Sequence, residues 1–306
     1  QIIRNAEDKP VGPLYAEFRS VPEFVQMKVM LDQLALKLPC PLRRARIFKV
    51  LADMMQEPRL AAAAADEAES VETVAQLPTG DAEALLRLWG SAYEELAFSN
   101  VRLAVESCVP APPSAADKPL APGLSVRVDV PARIDLGGGW SDTPPYSFEK
   151  GGAVVNMAIT LAGECPVVTW AKTVPEPTIR LESLDLGISH ELSKLEELHT
   201  YNDVEDPLAL LKAAVVFEGL VPRDAAGSVK AYMQKRGAGL RLTTECRLPK
   251  GSGMGTSSIV AAASVAALAA LRGRELSIDQ LFDHVLCVEQ MMTTGGGWQD
   301  QVGGLV

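Results

Sequence analysis

A glycine-rich stretch, Leu248-Pro-Lys-Gly-Ser-Gly-Met-Gly-Thr-Ser-Ser258, runs without a break into the alanine-rich segment Ile259 to Leu271. Ahead of it, in Gly239 to Arg247, Leu240, Leu242 and Thr244 alternate with Arg241, Thr243 and Glu245. Period-two alternation predicts a strand, and a run of strong helix formers predicts a helix, so the glycines sit at a strand-to-helix turn. Glycine there takes positive φ and lets backbone approach a ligand closely. The first N–H groups of the following helix have no partners within it. With the helix dipole they form an anion site suited to phosphate.

Other glycines cluster at Gly137–Gly139, Gly151–Gly152, Gly295–Gly297 and Gly303–Gly304, each at the edge of a predicted element. Two common phosphate fingerprints do not fit. No Lys-Ser/Thr pair closes the loop as in a Walker A site, and no acidic ribose partner follows as in a dinucleotide fold.

Along the chain, apolar residues recur at three and four over Phe24–Leu38, Arg43–Gln56 and Asp81–Ala104, which predicts amphipathic helices. The Arg59–Asp66 run reads as helix or linker. The proline-rich stretch Val109–Gly123 predicts a domain border, with a helical linker or docking segment over 1–122 and a second domain over 123–306. Strands are predicted at Leu124–Val130, Ala153–Leu161, Cys165–Thr173, Thr178–Leu184, Gly227–Gln234 and Gly239–Arg247, with Ala162-Gly163 as a hairpin turn. Asp206-Pro207 predicts a helix start, and Ser277-Ile-Asp-Gln280 has capping-box spacing for a helix ending near Met292. Strands followed by helices make an α+β arrangement.

A net charge of −10 and a pI near 5.0 disfavour nucleic acid and acidic membrane surfaces as partners, because phosphate-rich surfaces repel such a chain. The five scattered cysteines contain no Cys-x-x-Cys pair, and with three histidines they predict reduced thiols in a cytosolic protein. No uninterrupted apolar span of membrane length occurs, so no membrane segment is expected. The chain begins at Gln1, which is expected of a piece of something longer.

Three motifs in order carry a resemblance: Pro131-Ala-Arg-Ile-Asp-Leu-Gly-Gly-Gly-Trp-Ser-Asp142, Pro249-Lys-Gly-Ser-Gly-Met-Gly-Thr-Ser-Ser258 and Thr294-Gly-Gly-Gly-Trp-Gln-Asp-Gln301. Over roughly Val126–Val306 the chain resembles the GHMP kinase superfamily, and within it the L-fucokinases, including the kinase part of the bifunctional fucokinase/GDP-fucose pyrophosphorylases. The resemblance implies the amino-terminal lobe of that fold, akin to a ribosomal S5 second domain, with the family's further glycine-rich motif of the carboxy-terminal lobe, and that lobe itself, lacking.

It further implies an ATP- and Mg²⁺-dependent sugar 1-kinase converting L-fucose to L-fucose 1-phosphate, with a covalently linked GDP-fucose pyrophosphorylase domain as a possible partner. Phosphates would lie on Lys250, Gly251, Ser252, Gly253, Met254, Gly255, Thr256, Ser257 and Ser258. Motif alignment puts Ser257, rather than Ser258, at Mg²⁺ together with Glu289. Asp300 would accept the proton of the sugar hydroxyl, and Arg133 would keep it ionised and steady the alkoxide. Asp142, Gly139 and Trp140 would contact the sugar. Gly139 and Trp140 stand where galactokinases carry Glu and His, which suits a less polar pocket for a 6-deoxy sugar. The alternatives are another GHMP sugar kinase acting on a heptose phosphate, galactose or arabinose, and a noncatalytic nucleotide-binding fragment.

Overall fold

The computed structural model describes residues 21–55, 82–108, 112, 118–143, 147, 151–203, 205–249, 252–292 and 299–300. The Arg59–Asp66 run lies outside them. The chain forms two compact units, residues 1–104 with 148–150 and residues 105–147 with 151–306.

The first unit contains α1 (Val21–Lys37), α2 (Pro41–Met55) and most of α3 (Ala82–Cys108), as the helical periodicity requires. Its core is Ala35, Phe48, Leu51, Ala52, Met54, Met55, Leu86, Tyr93 and Ala97. The Tyr93 hydroxyl lies 2.8 Å from Asp32 Oδ2, and Lys28 Nζ donates to the same oxygen at 2.9 Å.

The division between the two compact units lies inside α3, at Ala104/Val105. Residues at the end of the proline-rich stretch are tied into the second unit by their backbones. Leu120 N–H donates to Arg236 O at 2.8 Å, Arg236 Nε donates to Lys118 O at 2.7 Å, and Thr173 Oγ1 donates to Ala121 O at 2.9 Å.

The second unit holds a five-stranded sheet in the order β1-β4-β7-β5-β6: β1 (Ser125–Val130), β4 (Val167–Val174), β7 (Gly239–Cys246), β5 (Ile179–Ser183) and β6 (Ile188–Leu192). All its pairs are antiparallel except β5 with β7. A separate antiparallel pair joins β2 (Ala132–Gly137) to β3 (Val155–Ile159). Then α4 (Ala209–Phe217), α5 (Val229–Arg236), α6 (Thr256–Leu271) and α7 (Ile278–Met291) complete the unit, with a 3₁₀ segment at Leu195–Asn202. Helix α6 packs on β1 and β4 and against α4 and α7. It is buried on nearly every side, which explains why its sequence is alanine-rich rather than amphipathic. The main core runs from Ile179, Leu181, Leu240 and Leu242 through Leu211, Val215 and Phe217 to Val265, Leu268, Val285 and Val288.

Three expectations are corrected, and two strands are added. Gly227–Gln234 is not a strand: Ser228 caps α5 by accepting from Ala231 N–H, and Gly237 closes it in the left-handed conformation at φ 81°. Its residues are mostly good helix formers, and those end signals outweigh the local alternation. Two strands went unforeseen. β2 lies inside the first motif, and β6, Ile-Ser-His-Glu-Leu, is a polar edge strand. The Ala162-Gly163 turn does form, with positive φ at both residues and reciprocal Leu161–Glu164 backbone bonds, but its flanking strands join different sheets. Asp206 does not cap α4, whose N-cap is Leu208. Its carboxylate instead accepts from Leu208 N–H at 2.9 Å in an Asx turn and binds Lys212 Nζ at 2.6 Å.

The carboxylate of Glu218, at the end of α4, is fully buried. It meets Arg274 Nη1 at 2.8 Å, Arg272 Nη1 at 3.5 Å and His284 Nδ1 at 2.9 Å. Burial lowers the pKa of the Arg272 guanidinium, and Glu218 is the counter-charge that opposes the drop.

Candidate active site

The site is assembled on a small core under the glycine loop: Val130, Ala132, Val167, Leu248, Ile259 and Ala263, with Met254 packed against it. This core joins the start of β2, the residue before the glycine loop and the first turns of α6. It therefore fixes the loop relative to β2. Gly253 and Gly255 take φ values of 70° and 67°, and Gly255 is the N-cap of α6 with no side-chain cap bond. No acidic residue occupies the first turn of α6. The first N–H groups of α6 thus carry no side-chain cap, and such groups are what an incoming phosphate takes at a helix start. Ser252, Gly253 and Ser257 are exposed, whereas Ser258 is buried. Lys250 and Gly251 lie outside the described residues, as do Thr294–Trp298 of the third motif.

Asp300 and Arg133 meet as expected. Arg133, one residue into β2 and almost wholly buried, donates from Nη2 to Asp300 Oδ1. Burial pushes the Asp300 carboxyl above its usual range. Arg133 pulls it down and Asp142 adds to the rise, while a bond with Ser258 opposes it. Arg133 therefore restrains the shift without cancelling it, and Asp300 is a stronger base than an exposed aspartate.

Asp300 also stands against the loop. A Cβ built on Gly255 would lie 2.5 Å from Asp300 Cγ and 2.6 Å from Oδ1. Glycine is thus required at 255 twice over, for its positive φ and for the carboxylate beside it. Gly255→Ala is expected to force the loop and Asp300 apart and to cost about 1–3 kcal/mol of stability, because a residue with a Cβ is strained in the left-handed region. A thermal melt of the variant beside the wild type checks this.

Glu289 on α7 is buried and accepts a hydrogen bond from Ser258 Oγ. Ser258, the neighbour of the residue expected to face it, is the serine in contact with Glu289, while Ser257 is exposed at the helix start. Among the described residues no group of three or more His, Cys, Asp and Glu could by itself hold a metal. A carboxylate and serine hydroxyls are hard oxygen donors, and they fit Mg²⁺ if it takes its remaining ligands from phosphate oxygens and water.

The first motif folds back on itself around close glycine contacts. A Cβ on Gly138 would strike Ala153 O, and one on Gly152 would strike Ser141 O. Gly139 has its missing Cβ filled by the Asp135 carboxylate, which also accepts from Gly137 N–H at 2.8 Å. The place read as a less polar pocket therefore holds a carboxylate. Trp140 takes φ 71° and is 80% exposed, so it is neither relaxed nor packed under the loop.

Asp142 is wholly buried, and its Oδ2 accepts from Gln299 N–H at 2.9 Å. Asn156 on β3 donates from Nδ2 to Gln299 O at 3.0 Å. Among the described residues, Arg133 Nε, Asp142 Oδ1, Asn156 Oδ1 and Gln299 Oε1 are buried without a hydrogen-bond partner. Buried polar atoms are rarely left so, and several on residues meeting at one segment suit a polyhydroxyl ligand or water. Asp135, Asn156 and Gln299 were not foreseen. Asp135 sits within the first motif and Gln299 within the third, but Asn156 has no local signal beyond its place after Gly151–Gly152.

The GHMP kinases N terminal domain family matches residues 223–305. The chain is 40% identical over 179 residues to L-fucokinase/L-fucose-1-P guanylyltransferase of Bacteroides fragilis, covering 58% of this chain and 19% of that protein. It is 41% identical over 179 residues to the bifunctional fucokinase/GDP-fucose pyrophosphorylase of Arabidopsis thaliana, covering 58% of this chain and 16% of that one. The chain thus spans less than a fifth of the length of these two curated relatives. Among solved structures, a D-glycero-D-manno-heptose 1-phosphate kinase from Bacteroides thetaiotaomicron is similar at 22% identity and TM-score 0.44, covering 58% of this chain and 52% of that one. Residues 223–305, which hold β7, the glycine loop and the uncapped helix after it, are thus the part of this chain that matches the GHMP kinases N terminal domain.

Proposed function

We propose that this chain is part of an ATP-dependent sugar 1-kinase that phosphorylates the anomeric hydroxyl of L-fucose, working joined to further segments of the kind its curated relatives carry. The observation that carries the reading is Asp300, a carboxylate of raised basicity, held by Arg133 and lying directly against the phosphate loop at Gly255. A base beside a phosphate site is what transfer to a hydroxyl requires. The choice of L-fucose is supported by the two fucokinase relatives.

In this reading the α6 N–H groups at Gly255–Ser258 hold the ATP phosphates. Asp300 accepts the hydroxyl proton at its carboxylate, and Arg133 steadies the charge left on the sugar oxygen. Mg²⁺, held by Glu289 with Ser257 or Ser258, would supply charge neutralisation on the phosphates when bound. Asp135, the unpartnered oxygens of Asp142 and Gln299, and exposed Trp140 are the groups available to the sugar.

The test is ADP release over a panel of monosaccharides by the full chain. L-fucose should give the highest kcat/KM, and a preference for D-galactose would overturn the substrate. No sugar-dependent ADP release would favour a nucleotide-binding role without catalysis.

The pH profile gives a second check. A base accepts a proton only when ionised, so activity falls as pH drops through its pKa. Burial raises that pKa, so the acid limb of kcat/KM should lie above the ordinary aspartate value. Arg133→Gln removes the cation that pulls it down and should move the limb higher still. A limb that stays put in the variant would separate Arg133 from the base.

A further inference from the structure

Asp300 is held by more than its ion pair. The peptide units on both sides of Gln299 are gripped by residues far away in the sequence. Asp142 Oδ2 takes the Gln299 N–H at 2.9 Å, and Asn156 Nδ2 gives to the Gln299 carbonyl at 3.0 Å. That carbonyl belongs to the peptide linking Gln299 to Asp300, so the second bond acts on the unit that carries the Asp300 Cα. Asp142 and Gln299 are buried, and the Gln299 N–H bond is fully so.

β2 and β3 set the geometry. Asp135 pairs with Asn156 across the two strands, and Arg133, two residues earlier on β2, has the same facing as Asp135. The strand pair therefore presents Arg133 to the Asp300 side chain and Asn156 to its backbone from one face. A carboxylate partner for the N–H and an amide partner for the C=O together fix the rotation of both peptide units.

We propose that Asp142 and Asn156 form a two-sided clip on the Gln299 backbone, and that Asn156 is a positioning residue that aims the Asp300 carboxylate at the reacting hydroxyl. The aiming role rests on the reading of Asp300 as proton acceptor; the clip itself does not. Asp142 then has two duties, Oδ2 in the clip and Oδ1 left for a ligand hydroxyl.

Two measurements on the full chain separate these claims. The first needs no catalysis. Amide hydrogen exchange should show Gln299 N–H protected in the wild type and released about ten-fold or more by Asp142→Ala, with the β7 amides unchanged. Unaltered exchange at Gln299 would remove the clip, whatever the enzyme does.

The second is kinetic. Asn156→Asp keeps shape and an acceptor oxygen but cannot donate to the Gln299 carbonyl when ionised. It should lower kcat about ten- to hundred-fold while sugar KM stays within about two-fold. Asn156→Ala should do the same. If instead Asn156→Asp keeps full kcat while Asn156→Ala raises KM, Asn156 is a sugar contact through Oδ1 and the proposal falls. If both keep kcat and only lower the melting temperature, the bond is structural and the proposal also falls. Should Asn156→Ala fail to fold, Asn156→Asp alone decides the donor question. Absent sugar phosphorylation in the wild type would count against the kinase reading, and the exchange result would still decide the clip.

Discussion

Asp300→Asn is expected to lower kcat by about 10²–10⁴-fold, the usual range for loss of a positioned base, while ATP affinity stays within about a few-fold. The amide keeps the volume of the carboxyl and can still accept from Arg133 Nη2, so the loop contact at Gly255 survives. What disappears is the proton acceptor that burial has made more basic. Equilibrium binding of a nonhydrolysable ATP analogue, set beside single-turnover rates, separates the two quantities. A variant that keeps most of its kcat would remove Asp300 from the chemistry and leave Arg133 and the helix N-terminus to account for any transfer.

The largest expected effect on stability lies away from the site. Glu218→Ala should cost about 3–5 kcal/mol, the range for removing one partner of a buried ion pair. Glu218 is wholly buried, and its carboxylate is the counter-charge for Arg272 and Arg274 and a partner of His284. The alanine would also leave a void beside Phe217, whose ring meets His284 edge-on at 5.1 Å. Urea unfolding should show the drop as a lower midpoint with an unchanged slope. A loss below about 1 kcal/mol would mean that water reaches the arginines. Glu218→Gln should fall between, since it retains acceptors but no charge.

The sequence made some of this architecture plain for reasons that can be named. The strand, loop and helix around Gly255 are contiguous, and each carries its own period, so their junction can be read from about 30 residues. The capping box at Ser277 and Gln280 forms as its spacing demands. Arg133 and Asp300 were paired through motif resemblance, although 167 residues separate them. No local pattern could have joined them.

The unread parts were tertiary. β2 hides its strand character because one face carries the charged Arg133 and Asp135, while the apolar Ile134 and Leu136 stand exposed on the other. Asn156 looks like any polar strand residue until the Gln299 carbonyl arrives opposite it. Gly139 invites an apolar pocket in sequence, and only the fold shows Asp135 filling the gap. Helix α5 was misread because Val229 and Met233, its buried pair, sit among residues that also alternate.

The strand order has a consequence for how the polypeptide is made. Of the five strands of the sheet, β7 is the last to leave the ribosome, yet it is the middle one. β4 ends at Val174 and β7 begins at Gly239, 65 residues later (239 − 174). At about 5–20 residues per second, β4 waits roughly 3–13 s with one edge unpaired. β5 and β6 form a hairpin that waits for the same partner. The nascent chain thus carries two open edges, one of them the Val-rich β4, and an eight-residue segment closes both at once. Slowing translation between Val174 and Gly239 should therefore increase capture by ribosome-associated chaperones, and the same pause placed after Cys246 should not.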